Sequence, residues 1–249
     1  MSLVILNNAE ELGKAAGSKA AQLIREAIVA KGHATIIMAT GASQFETISQ
    51  LIAEENIDWS KVRMFHLDEY IGLPKTHPAS FRKYLEDRFL SKIPSLVAVN
   101  LIDGEKETTG ECARLGQLIT NHPVDVALVG IGENGHLAFN DPPADFETDQ
   151  PYIVVALDEA CRKQQLGEGW FTSIEEVPAY AISMSVNQIL KSKHIVCSVP
   201  DSRKAVAVKN TLEQSVSNLY PASILQLHPN CFFYLDTSSA ALLSQVTYR

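Results

Sequence analysis

Four short stretches of this chain carry residues able to do chemistry. In GIGENGHLAFNDPPADF, residues 130–146, His136 stands between Asn134 and Asp141, directly after the apolar run VDVALV. Gly130, Gly132 and Gly135 permit sharp turning there. A histidine presented at a strand end and held by polar partners has its tautomer fixed and passes protons near neutral pH. In FHLDEYIGLPKTHPASF, residues 65–81, Asp68 and Glu69 are adjacent in an extended run, so their side chains point to opposite faces. A carboxylate at a partly dry strand end gains a raised pKa and serves as a general base. In MATGASQFETI, residues 38–48, a small-residue turn leaves backbone N–H groups of Thr40, Gly41 and Ser43 at a helix start, which suits a phosphate. In SVPDSRKAVAV, residues 198–208, Arg203 and Lys204 lie at the beginning of a helix, the end that basic residues normally avoid unless an anion is there.

Each stretch also has a plain structural explanation: a tight βα turn, a salt-bridged acidic turn, a histidine satisfied in place, an exposed basic pair. The glycine turn is neither a P-loop nor a dinucleotide fingerprint, because no Gly-Lys-Ser/Thr and no GxGxxG is present in it. No second histidine or cysteine stands at ligand spacing from His136, which argues against a metal.

The elements that position these residues alternate. LVILN is a strand, and residues 9–32 read as a helix, with Leu12, Ala15, Ala16, Ala20, Leu23, Ile24, Ala27 and Ile28 at helical spacing and Gly32 as its stop. ATIIMAT, VRMFHLDEY, LVAVNLID, VDVALVGIG, YIVVAL, YAISMS, HIVCSVP and FFYLD read as strands. Helical stretches follow many of them, at 45–56, 80–93, 109–122, 186–192 and 202–215. This order predicts one α/β domain over 1–249, Rossmann-like, with a mainly parallel sheet covered by helices on both faces. Such sheets collect functional residues at the carboxyl ends of their strands, where most of the polar stretches lie.

Composition narrows the function. A net charge of −8 disfavours nucleic acid as a partner, which calls for a basic face. Cys112, Cys161, Cys197 and Cys231 form no CxxC pair and read as reduced structural thiols. With no run near the apolar length of a membrane span and no signal-peptide pattern at the start, a soluble cytoplasmic location is expected, with no membrane partner.

Together FHLDEYIGLP…HPASF, GIGENGHLAFNDP, SRKAVAV and PASILQLHPN resemble, in order and spacing, the glucosamine-6-phosphate deaminase/isomerase family over essentially the whole chain. The resemblance implies a sugar phosphate as substrate and conversion of glucosamine 6-phosphate and water into fructose 6-phosphate and ammonia. It implies no redox cofactor and no catalytic metal. Asp68 matches the base that moves a proton between C2 and C1 of the open-chain sugar. His136 matches the residue that assists ring opening, Asn134 and Asp141 the positions that orient it, Lys204 a phosphate-binding lysine, and the Thr40–Ser43 turn the phosphate loop.

Three departures stand out. Asn134 replaces an aspartate of many members, and Asp141 replaces a glutamate. Where many members carry an arginine before an aromatic pair to clamp the phosphate, this chain has CRKQQLGEGWF with Gly169-Trp170-Phe171 and a two-residue insertion. Arg162 and Arg203 are the candidates for the missing charge. The acidic and apolar segment ADFETDQPYIVV predicts no allosteric site for an acetylated sugar phosphate. Monomers and larger assemblies both occur in the family, so the resemblance does not fix an oligomeric state. Two other functions compete: a 6-phosphogluconolactonase-like hydrolase, disfavoured by AFNDP where a Ser-Leu-Phe-Pro sequence is usual, and a non-catalytic sugar-phosphate-binding paralogue, disfavoured by the presence of both Asp68 and His136.

Overall fold

The computed structural model describes residues 1–244, so the last five residues of the expected domain lie outside the described residues. The chain begins β1 (Ser2–Leu6), α1 (Ala9–Lys31), β2 (Ala34–Met38), α2 (Phe45–Ala53), β3 (Val62–His66), β4 (Asp68–Tyr70) and α3 (Phe81–Arg88). It continues β5 (Ala98–Asn100), α4 (Thr108–Thr120), β6 (Val126–Val129), β7 (Tyr152–Ala156), α5 (Glu159–Gly167) and β8 (Tyr180–Met184). It ends α6 (Val186–Leu190), β9 (His194–Val199), α7 (Ala205–Glu213) and β10 (Cys231–Asp236).

Seven strands form a parallel sheet in the order β1-β10-β9-β6-β2-β3-β5. Strand alternation sends Ile36 and Met38 to one face and Ile37 to the other. On the first face Leu12, Ala16, Ala20 and Ile24 of α1 and Leu51 of α2 complete the core; on the second, Leu115 and Ile119 of α4 and Val208 of α7 do so. Helix α1 begins at Asn8, whose side chain accepts from the Glu11 N–H at 2.9 Å, and stops at Gly32 in the left-handed region.

The expected α/β domain with a mainly parallel sheet and helices on both faces is the one found. Two elements differ from expectation. VRMFHLDEY is not one strand: the backbone leaves the main sheet at Leu67, and β4 pairs antiparallel with β8, which pairs antiparallel with β7. YIVVAL and YAISMS therefore build a second, three-stranded sheet. From Ile153 to Ala156 the residues of β7 alternate between sheltered and exposed, the pattern of a sheet wetted on one face. The second difference is α5, which covers a segment with no apolar periodicity; Asp158 caps it by accepting from the Cys161 N–H.

In the main sheet, connections run from β2 outward to β3 and β5 on one side and to β6, β9 and β10 on the other. The crevice outside the carboxyl ends of β2 and β6 is thus a topological switch point, the place where open α/β sheets bind ligands.

Candidate active site

A cavity of about 280 Å³ opens at that crevice. Its lining comes from the carboxyl ends of five strands: Thr40, Gly41 and Ser43 after β2, Asp68 after β3, Gly130, Ile131, Gly132 and His136 after β6, Arg203 and Lys204 after β9, and Asp236 at the end of β10; Asn134 and Asp141 are not among the lining residues. Leu67, Phe81 and Phe139 supply an apolar wall.

Asp68 and Glu69 divide as strand alternation requires. Asp68 faces the cavity, 6% exposed, and its carboxylate makes no hydrogen bond or ion pair with another described residue. Burial first, and then the charge of Glu69, push its pKa up to about 8. Glu69 turns the other way and caps α3: it accepts from the N–H groups of Phe81 and Arg82 at 3.1 and 2.8 Å and from the Ser80 hydroxyl at 3.0 Å. Burial raises its carboxyl above the ordinary value against the pull of those donors. The Arg82 guanidinium lies 3.4 Å from it and also pairs with Asp103 and Glu105.

His136 is held by packing as much as by polar contact. A Cβ on Gly132 would come within 2.2 Å of the imidazole, so only glycine lets the ring lie there. Asp141 Oδ1 is 3.0 Å from His136 Nδ1, an ion-pair distance, although the ring nitrogen is not aligned for a directed hydrogen bond. Asn134 is hydrogen-bonded to the His136 backbone and not to the imidazole. Its carbonyl oxygen accepts from the His136 backbone N–H at 3.0 Å, and its amide donates to Asp141 at 2.9 Å and Asp158 at 3.2 Å. Burial pushes the Asp141 carboxyl up, but His136, the Asn134 amide and the Asp158 N–H outweigh it and leave it below its ordinary value. The loop is pinned from beneath by Asn140, which donates to the Leu137 and Met184 carbonyls.

At the other end of the cavity, Gly41 adopts φ 94°, a region that disfavours a side chain, and the Tyr84 hydroxyl of α3 donates to its carbonyl at 2.9 Å. The turn leads into a short 3₁₀ segment, Ala42–Gln44, whose first N–H groups have no partner within the helix. Lys204 is 6% exposed, lines the cavity and makes no ion pair with a described residue; burial lowers its pKa, with Glu168 the largest opposing charge. Arg203 also lines the cavity, but its guanidinium pairs with Asp201 at 2.8 Å and Glu133 at 3.4 Å.

Arg162 is not a lining residue. Its guanidinium donates instead to the carbonyls of Ile174 and Val177, so the structure does not bring it together with Lys204 and the Gly41 turn. The wall facing Lys204 is instead built by α5 and the residue following it, through Gln164, Gln165 and Glu168, none of which sequence reasoning selected. Gln165 is buried, and its Oε1 has no hydrogen-bond partner. The helix also brings Cys161 beside His136 and Asp141, a group of three possible metal ligands that linear spacing does not reveal.

Residues 7–233 match the family model of glucosamine-6-phosphate isomerases/6-phosphogluconolactonase. The chain belongs to this family. The glucosamine-6-phosphate deaminase of Lactobacillus delbrueckii subsp. bulgaricus is 36% identical over 98% of this chain and 100% of its own. That of Oenococcus oeni is 37% identical over the same shares. A solved structure of a monomeric glucosamine-6-phosphate deaminase superposes with a TM-score of 0.87 at 33% identity, covering 97% of this chain and 100% of the other. A 6-phosphogluconolactonase from Trypanosoma brucei shares the fold, with a TM-score of 0.80 at 18% identity over 98% of each chain. Among the described residues, no helix is long and apolar enough to cross a membrane.

Proposed function

We propose that this cavity deaminates and isomerises glucosamine 6-phosphate, giving fructose 6-phosphate and ammonia. The observation that carries the reading is Asp68: a buried carboxylate with a pKa near 8, without a hydrogen-bond or ion-pair partner among the described residues, facing the same cavity as His136 and Lys204. A base poised near the working pH is what abstraction of a proton beside a carbonyl demands. Lys204 and the Gly41 turn hold the phosphate. His136, steadied by Asp141, moves the proton that opens the ring. Asp68 then takes the C2 proton of the open-chain sugar to give an enolamine and returns it to C1. The resulting C2 imine is hydrolysed by water, which releases ammonia and leaves the ketose.

The test is ammonia release and fructose 6-phosphate formation from glucosamine 6-phosphate, with Asp68→Asn alongside. Turnover by the native chain that disappears in the variant supports the reading. Turnover of 6-phosphogluconolactone instead, with the amino sugar untouched, overturns it.

A further inference from the structure

The wall behind His136 carries a group that ring opening and proton transfer do not use. Cys161, in the first turn of α5, is fully buried and in no disulfide, and its sulfur, a ring nitrogen of His136 and a carboxylate oxygen of Asp141 all lie within 4.8 Å of one another, with Nδ1 the nitrogen that faces Asp141 at 3.0 Å. Nδ1 is buried and lacks a directed hydrogen-bond partner despite its 3.0 Å separation from Asp141. The surroundings are negative. Asp141 and Asp158 place charge near the thiol, Asp68 adds to it once ionised, and no lysine or arginine among the described residues pairs with any of the three. The nearest arginine in sequence, Arg162, spends its guanidinium on two carbonyls.

One nitrogen, one sulfur and one oxygen around a buried negative pocket form a donor set for a borderline-soft divalent cation, and such ions are commonly held by three side chains with the fourth position open. A tetrahedral zinc ion needs its ligand atoms roughly 3.3–3.8 Å apart, so modest side-chain rotation closes this group upon it. Magnesium and calcium prefer all-oxygen sites and gain nothing from the sulfur.

We propose that His136, Asp141 and Cys161 form an inhibitory site for Zn²⁺ or a cation of similar character. The sulfur–metal bond forms as the thiol proton leaves to solvent, with no change of oxidation state. Coordination through Nδ1 fixes the remaining ring proton on Nε2 and takes Asp141 away as the partner of the imidazole. The ring can then neither accept a proton nor be steadied as a cation. Binding of the metal is independent of the proposed reaction; its consequence for turnover rests on that reading.

The experiment uses the full chain after treatment with a chelator, titrated with Co²⁺ as a spectroscopic substitute for zinc. One equivalent should bind with a thiolate-to-cobalt charge-transfer band, be displaced by Zn²⁺, and be indifferent to excess Mg²⁺. Cys161→Ser and Cys161→Ala should abolish the band and weaken Co²⁺ binding at least tenfold, while Cys112→Ser leaves both unchanged. A band that survives in folded Cys161 variants, or no band in the native chain, overturns the site. In parallel, Zn²⁺ should suppress ammonia release until chelator is added, with at least tenfold more Zn²⁺ needed in Cys161→Ser. Equal sensitivity of the two chains overturns the inhibitory role, whereas a metal band in a chain without deaminase activity leaves the site standing and removes the reaction.

Discussion

The two faces of β4 hold neighbouring carboxylates in opposite circumstances. Glu69 accepts hydrogen bonds from α3 and faces Arg82; Asp68, one residue earlier, is also buried, and its carboxylate has no partner among the described residues. Both are pushed upward by burial, but only Asp68 looks into the cavity. Burial alone therefore does not mark a reagent. A buried acid that the protein has satisfied is scaffold, and one that it has left unsatisfied at the edge of a cavity is available for chemistry.

That contrast is open to direct attack. The largest effect should come from Asp68→Asn, which keeps the shape and removes the base: kcat should fall by about 10²–10⁴-fold, measured by ammonia release, while the chain stays folded. Glu69→Gln should do the reverse. Its amide would set N–H donors against the α3 N–H groups, costing about 2–4 kcal/mol and lowering Tm by roughly 5–15 °C, with the loss appearing in calorimetry. If Glu69→Gln melted like the native chain, the distinction between scaffold and reagent would collapse. Lys204→Met should raise KM for the sugar phosphate about 10–100-fold, as loss of a charged hydrogen bond does, and leave kcat less affected.

The smallest effect concerns pH. Because the folded-state pKa of Asp68 lies above its unfolded value, near 8 against an ordinary 3.8, ionising it in place opposes folding. Its contribution to stability is fully present below the unfolded pKa and is lost as pH rises through about 8. Asp68→Asn should therefore gain Tm relative to the native chain as pH is raised from 5 to 9, by about 2–6 °C at the upper end. Over the same range kcat/KM of the native chain should climb with pH and level off above about 8, since the base works only when ionised. A flat profile would separate Asp68 from the proton transfer.

Much of the site was legible because its parts interrupt apolar patterns. Asp68, His136, Lys204 and the Gly41 turn each follow a hydrophobic strand, and each lines the cavity. The separate faces of Asp68 and Glu69 follow from the two-residue repeat of a strand. What was hidden has physical reasons. VRMFHLDEY reads as a continuous strand, and its departure from the main sheet depends on pairing with β8, more than a hundred residues away. Helix α5 escaped notice because its sheltered residues include Cys161, Gln164 and Gln165; a helix whose inner face borders a polar cavity lacks the apolar stripe that identifies helices. Arg162 was a reasonable candidate for an anion by charge alone, but a guanidinium equally serves to tie down carbonyls, and only the fold distinguishes the two uses.

Helix α3 joins the two ends of the cavity. Its first N–H groups grip Glu69, the chain neighbour of Asp68, and one turn later its Tyr84 hydroxyl grips Gly41 in the turn facing Lys204. The two points at which α3 grips these neighbours are roughly one turn of helix apart, about 5 Å of rise, so the Gly41 turn and the strand end at Asp68 are tied to one rigid element. The helix works as a spacer bar, and a change in its pitch or seating would move both walls at once.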